Sequence, residues 1–128
     1  MQNMKRLIFL LALFIAGCFW FPQRTEASNW VWIDSNDTVS AYLDTDSIRK
    51  NGSTATAWVK YANIDGTYGL VKYSFNAEQE SLGILSEVDY NTDGSTRNSY
   101  TFPPYNVAFQ PVVPDSVGEH IYSYIFSL

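Results

Sequence analysis

From residue 30 to residue 102 the chain alternates, apolar and polar side chains exchanging places with a period of two. Such a period sends successive side chains to opposite faces of an extended backbone, so the stretch reads as a series of half-buried β-strands. Trp30-Val-Trp32-Ile33-Asp34 opens the series, and Val39, Ala41 and Leu43 then oppose Ser40, Tyr42 and Asp44. In residues 54–62, Thr54, Thr56, Trp58 and Lys60 lie opposite Ala55, Ala57, Val59 and Tyr61. Val71, Tyr73 and Phe75 alternate with Leu70, Lys72 and Ser74. Ile84, Ser86, Val88 and Tyr90 make a fifth strand, and a sixth returns through Arg97 to Phe102.

Turn chemistry separates these runs. Asn36-Asp37, Asp65-Gly66 with Gly69, the polar stretch 77–81, and Asn91-Thr-Asp93-Gly94 each break the alternation. Asn51-Gly52 is expected to supply the two positive-φ residues of a tight hairpin. Pro103-Pro104 ends the pattern, and Pro111 and Pro114 argue against a central strand in residues 106–113. The period then changes. Ser116-Val-Gly-Glu119 fits a capping box, and Val117, Ile121, Tyr124, Ile125 and Leu128 share one helical face. The expected fold class is α+β: an antiparallel sheet of about six strands with a C-terminal helix packed across one face.

The N-terminus follows different rules. Lys5 and Arg6 precede an uncharged apolar run over residues 7–21, closed by Pro22, with Thr25-Glu26-Ala27 after it. At roughly 1.5 Å per residue that run spans only about 22 Å, short of the ~30 Å hydrocarbon core. A cationic start, a short apolar run and small residues at the exit describe a secretory signal peptide, residues 1–27, cleaved after Ala27. The domain is then residues 28–128, exported to the periplasm, the cell surface or the medium. Ile15-Ala16-Gly17-Cys18 offers an alternative, a lipobox whose acylated Cys18 would anchor the domain to a membrane. The aromatic continuation Phe19-Trp20-Phe21 favours the first reading, because a lipoprotein turns polar at that point.

Setting aside Lys5, Arg6, Arg24 and Glu26 takes the formal charge from −5 to −7. An acidic domain repels phosphate backbones, so nucleic acid is not an expected partner. Beyond the leader there is no cysteine, and packing alone must hold the domain. Trp30, Trp32, Trp58, nine tyrosines, Phe75, Phe102, Phe109 and Phe126 provide the material. Aromatic rings bury large areas and add edge-to-face contacts, which can stand in for cross-links.

Residues that could carry chemistry are few. His120 has Ser116 and Tyr124 as its helical neighbours, so it lacks a second nitrogen or sulfur ligand for a metal and a paired nucleophile. Asp44 and Asp46 hint at calcium, but Ile48, Arg49 and Lys50 follow where an oxygen-rich loop would continue, and turn capping accounts for both. Glu87 and Asp89 share one side of a strand, most simply its solvated face. Asn36-Asp37-Thr38 and Asn51-Gly52-Ser53 match glycosylation acceptors and also sit in turns. No catalytic, cofactor or metal residue is assigned, and no enzyme is expected. The surplus of tyrosine and tryptophan remains: Tyr42 and Trp58 lie opposite apolar faces, more aromatic surface than one thin core can hide. Rigid amphipathic rings of this kind are the usual anchors of binding surfaces.

The order of these features resembles the surface-adhesin protein E family of small exported bacterial domains. The likeness rests on Trp30-Val-Trp32-Ile33, on Tyr42-Leu-Asp44-x-Asp46-Ser47-Ile48, on Ala57-Trp58-Val59, and on Pro114-Asp115-Ser116-Val-Gly-Glu119 before the last helix. It implies the sheet-and-helix fold above, an envelope or surface location, and adhesion to host or matrix proteins. Members of that family often tie the helix to the sheet by a disulfide. The corresponding regions here read Val88-Asp89-Tyr90 and Tyr124-Ile125-Phe126, so the resemblance implies that Tyr90 and Phe126 meet in the core instead. The function expected is a non-enzymatic, adhesin-like binding module with a protein partner. The alternatives are a structural envelope protein whose aromatic face forms a homodimer, and a hydrolase with strand-borne carboxylates.

Overall fold

The computed structural model describes residues 28–128. The expected signal peptide, residues 1–27, and Cys18 within it lie outside the described residues. Eight strands form one antiparallel sheet: β1 (Trp30–Ser35), β2 (Val39–Asp44), β3 (Arg49–Asn51), β4 (Thr54–Asn63), β5 (Tyr68–Asn76), β6 (Ser81–Tyr90), β7 (Thr96–Thr101) and β8 (Gln110–Pro111). One helix, α1 (Val117–Phe126), follows them. The six strands expected are the path β1-β2-β4-β5-β6-β7. The other two, β3 on β4 and β8 on β6, are too short for a period to register, and all their residues are exposed.

The long strands β4, β5 and β6 are flanked by interrupted neighbours. Residues 59–63 of β4 pair with β2 and residues 54–56 with β3. In the gap the chain makes a 3₁₀ turn, Thr45–Ser47, and the Ser47 hydroxyl takes over the missing strand's part. Its oxygen accepts from the Trp58 N–H at 2.8 Å while donating to the Asp44 carbonyl at 2.7 Å. On the other side β6 pairs with β7 over Ser86–Tyr90 and with β8 at Ser81 and Leu82. There the strap of residues 102–113 crosses Gly83, where a Cβ would stand 2.7 Å from Val107 Cγ1. Only a residue without a side chain admits that crossing.

Leu43, Ala55, Ala57, Val59 and Phe75 project from one face of the sheet and meet Ile121 and Ile125 of α1 in a single core. The helix starts where the capping box places it. Ser116 Oγ accepts from the Glu119 N–H at 3.1 Å, although Glu119 Oε1 reaches past the cap to the N–H of Asp115, also at 3.1 Å. Val117 and Tyr124 pack on the core as expected, joined by Tyr122 and Phe126. Leu128 does not: α1 ends at Phe126, and Leu128 is 69% exposed beyond it.

Several local expectations are corrected. The hairpin loop after β3 is Gly52-Ser53, because Asn51 pairs with Thr54 inside the ladder and Gly52 alone has positive φ. Gly69 lies within β5 rather than breaking it. A bulge opposite Lys72/Tyr73 inserts Leu85, which moves Ile84 to the other face from Ser86, Val88 and Tyr90. Two further bulges, at Ile33 and at Arg97, interrupt the alternation of β1 and β7.

Tyr90 and Phe126 do not meet. Phe126 packs beside Tyr122 on the helix side, with ring centroids 4.8 Å apart. Tyr90 stacks on Tyr68 at 4.7 Å, and Tyr68 lies beside Ala62, which shares its side of the sheet with Trp58 and Lys60. An even number of steps along β4 keeps those residues on the face away from the helix.

Two neighbouring hairpins repeat one device that alternation alone does not reveal. Asn63-Ile-Asp65-Gly-Thr67 and Asn91-Thr-Asp93-Gly-Ser95 close with the same hydrogen bonds. In each, the asparagine N–H donates to the carbonyl four residues on, and its amide donates to that residue's hydroxyl. The aspartate Oδ1 accepts from both the N–H and the hydroxyl of the same Thr67 or Ser95.

Candidate functional site

The face without the helix is the larger open surface, and register places its side chains in rows. One row runs Trp58, Lys72 and Ser86 across β4, β5 and β6, and Trp30 lies opposite Asp44 where β1 meets β2. The next runs Trp32, Tyr42, Lys60, Leu70 and Val88. Beyond it Tyr68 and Tyr90 lie stacked. Part of this face forms a trough of about 640 Å³ whose lining includes Trp30, Trp58, Leu70, Lys72, Val88 and Tyr90. Strand twist and the side chains at the β1 margin give the sheet this concavity.

One cation, Lys60, lies against two of these rings. Lys60 Nζ sits 5.0 Å from the centroid of Tyr68 and 5.9 Å from that of Trp30. An ammonium over aromatic faces is stabilised by about 0.5–2 kcal/mol, more as water is excluded. Among the described residues only His120 and Asp34 form an ion pair, at 3.1 Å, so neither Lys60 nor Lys72 is neutralised by a carboxylate. The trough therefore combines apolar rings with charges of both signs, Lys72 and Arg49 against Asp44 and Asp46.

The two aspartates that suggested calcium are turn residues, as their sequence context implied. Asp44 is 3% exposed, and its Oδ1 accepts from the N–H groups of Asn29 at 2.8 Å and Asp46 at 3.1 Å. Asp46 is exposed, and its carbonyl accepts from Arg49 Nη1 at 2.9 Å. Among the described residues no group of three His, Cys, Asp or Glu side chains is arranged to hold a metal. His120 is exposed on the flank of α1 that faces β1, where its Nδ1 lies 3.1 Å from Asp34 Oδ2. Glu87 and Asp89 are on one face, as expected, but it is the helix-side face beyond the end of α1, and both are half-buried. The carboxyls whose acidity shifts are Asp65 and Asp93, both held below the usual range by hydrogen bonds from the side chains, then the backbones, of Thr67 and Ser95. That direction keeps them ionised in their turns.

On the helix side Tyr61 and Tyr73 share a hydrogen bond of 2.7 Å between their hydroxyls. Burial is the main reason both phenols are pushed up, with Tyr73 adding to the shift at Tyr61 and Glu87 to that at Tyr73. The folded state thus holds these protons more tightly than the unfolded chain, whose phenols ionise near pH ~10. The contribution is fully present below that pH and is lost as the pH rises above it. Replacing both residues by Phe removes donor and acceptor together, which is close to neutral at pH ~7. Urea midpoints at about pH 8 and pH 11 are expected to fall less in the double Phe variant than in the native chain. An equal fall in both proteins would show that this pair does not set the alkaline limit.

Sequence reasoning placed Tyr42, Trp58, Lys60, Leu70 and Lys72 on the correct strand sides. It missed Arg49 as part of the trough wall, since a three-residue strand carries no periodic signal. Compared with protein-family models, with curated proteins and with solved structures, the chain matches none.

Proposed function

We propose that this chain is a non-enzymatic, exported binding module of the adhesin-like kind, and that its open sheet face receives a protein partner from host, matrix or envelope. The observation that carries this reading is the trough itself: Trp30, Trp58, Lys72 and Tyr90 line it, Tyr68 stacks on Tyr90 beside it, and Lys60 lies against Trp30 and Tyr68. Rigid rings lose little conformational entropy when they are covered, and they combine an apolar body with a polar edge. Tryptophan, tyrosine and cations in a sheltered hollow are the usual composition of a binding hot spot. The leader over residues 1–27 and the resemblance to the protein E adhesins point to the same compartment and role.

The test is direct binding of the exported protein to purified matrix proteins and to solubilised envelope proteins, read by interferometry. Trp58→Ala is expected to weaken binding at least about 30-fold, the scale of a truncated hot-spot residue costing ~2 kcal/mol. Leu128→Ala, at an exposed site away from the trough, is expected to bind as the native chain does. Equal affinity for the Trp58 variant, with its circular dichroism preserved, would rule out the trough as the binding surface.

A further inference from the structure

Exposed apolar side chains are not spread evenly. Six of the nine large ones among the described residues, Ile84, Tyr100, Phe102, Tyr105, Phe109 and Val113, follow one margin of the sheet, that of β7 and the strap behind it. The same stretch, residues 98–114, carries no charge, although the described residues sum to −7. All six residues of β7 are exposed. Its ladder with β6 uses only half of its backbone groups: Phe102 N–H donates to Leu85 O at 2.9 Å, and strand alternation then turns the N–H and C=O groups of Thr101 and Ser99 outward.

A free row of donors and acceptors is a template for another strand. The opposite margin is guarded. β1 is broken by its bulge at Ile33, and it carries Asp34, engaged with His120. β7 has a bulge too, at Arg97, but it lies at the start of the strand, and Asn98, Ser99, Tyr100 and Thr101 after it run unbroken and carry no charge. We propose that two copies of this chain join through β7, paired antiparallel about a two-fold axis at Ser99.

A second copy suits this edge better than a lipid surface. Hydrocarbon cannot satisfy the outward N–H and C=O groups, whereas a strand satisfies all of them. Two acidic domains repel each other wherever their carboxylates face, and this margin is the place where they meet without any. With Ser99 opposite Ser99, Tyr100 of one copy lies beside Asn98 of the other on the helix side, and the bulge at Arg97 ends the regular pairing beyond them. No like charges are opposed in that register. An isologous contact of this kind closes on itself and leaves the trough of each copy open.

Light scattering of the exported protein is expected to give the mass of two chains. Ser99→Pro removes one outward N–H and no bond to β6, so it is expected to return the mass of one chain with unchanged circular dichroism. Ser99→Cys brings two thiols to Cα atoms about 5.5 Å apart, within disulfide reach, and is expected to cross-link on mild oxidation. Ser35→Cys, on the far margin, is expected to stay uncross-linked. A native mass of one chain at the highest soluble concentration would overturn the proposal, as would a dimeric Ser99→Pro protein. If Ser99→Pro fails to fold, the thiol variant decides: absence of the cross-link ends the idea.

Discussion

Phe75→Ala is expected to remove most of the domain's stability. The ring is 1% exposed at the centre of the core, between Tyr73 at 5.7 Å and Tyr122 at 6.5 Å. It joins the sheet to the helix, because its neighbours on the ladder are Ala55 and Leu82 and its partner above is α1. Truncating a phenylalanine in such a site costs about 3–5 kcal/mol, from lost transfer energy and from the cavity left behind. Natural domains hold only about 5–15 kcal/mol in total, and one of this size without a disulfide belongs to the lower part of that range. Denaturant titration followed by tryptophan fluorescence is the measurement. The midpoint should fall by a third or more with little change in slope, whereas Leu128→Ala should leave it in place. A midpoint that moves no further for Phe75→Ala than for Leu128→Ala would remove Phe75 from the centre of the argument.

Ile121→Asp is expected to have an effect at least as large, and of a different kind. Ile121 is fully buried, so the substitution both empties a well-packed site and puts a carboxylate where water does not reach. The packing loss alone is about 2–5 kcal/mol, and the unpaired charge adds to it unless the group takes up a proton. The helix cannot survive alone, since ten residues with a glycine at the second position are too short for an isolated helix in water. Detachment of α1 and melting of the core should therefore coincide. Near-ultraviolet circular dichroism and protease cleavage near residue 120 are the readouts, with Ser123→Ala as the comparison at an exposed position of the same helix. Native near-ultraviolet signal and resistance to cleavage in Ile121→Asp would mean that α1 is not needed to hold the sheet.

The sheet was legible because its signal is periodic. Residues 54–62 and 70–76 carry unbroken alternation, and both appear as strands with the expected sides buried. The helix was legible from chemistry rather than length: Ser116 and Glu119 marked its start, and Ile121 and Ile125 its buried face. What stayed hidden is what alternation does not encode. Bulges at Ile33, Leu85 and Arg97 each shift the side-chain phase by one residue, and nothing in the local sequence announces them. The two short strands depend on a neighbour to pair with rather than on their own propensity. The meeting of Tyr90 and Phe126 failed for a related reason: it assumed that aromatics would replace a covalent tether in place, whereas the helix is held by Ile121, Ile125 and Phe75 instead. For the trough, the rings and their strand sides could be read from the sequence. Their assembly into one hollow could not, since it required knowing that α1 covers only the other face.

The order in which the strands lie has a kinetic meaning. Every pair along the main path joins neighbours in the chain, apart from the skip over the three residues of β3, so each new strand closes only a short loop. Short loops cost little entropy to close, and chains dominated by them fold faster than sandwiches built from distant pairings. The one far closure is the last, the helix returning to β1, marked by His120 and Asp34, 86 residues apart. A polypeptide emerging N-terminus first can therefore lay down its sheet hairpin by hairpin. Until the final dozen residues arrive, the apolar side of that sheet is bare, and this interval is when the nascent chain most needs a chaperone.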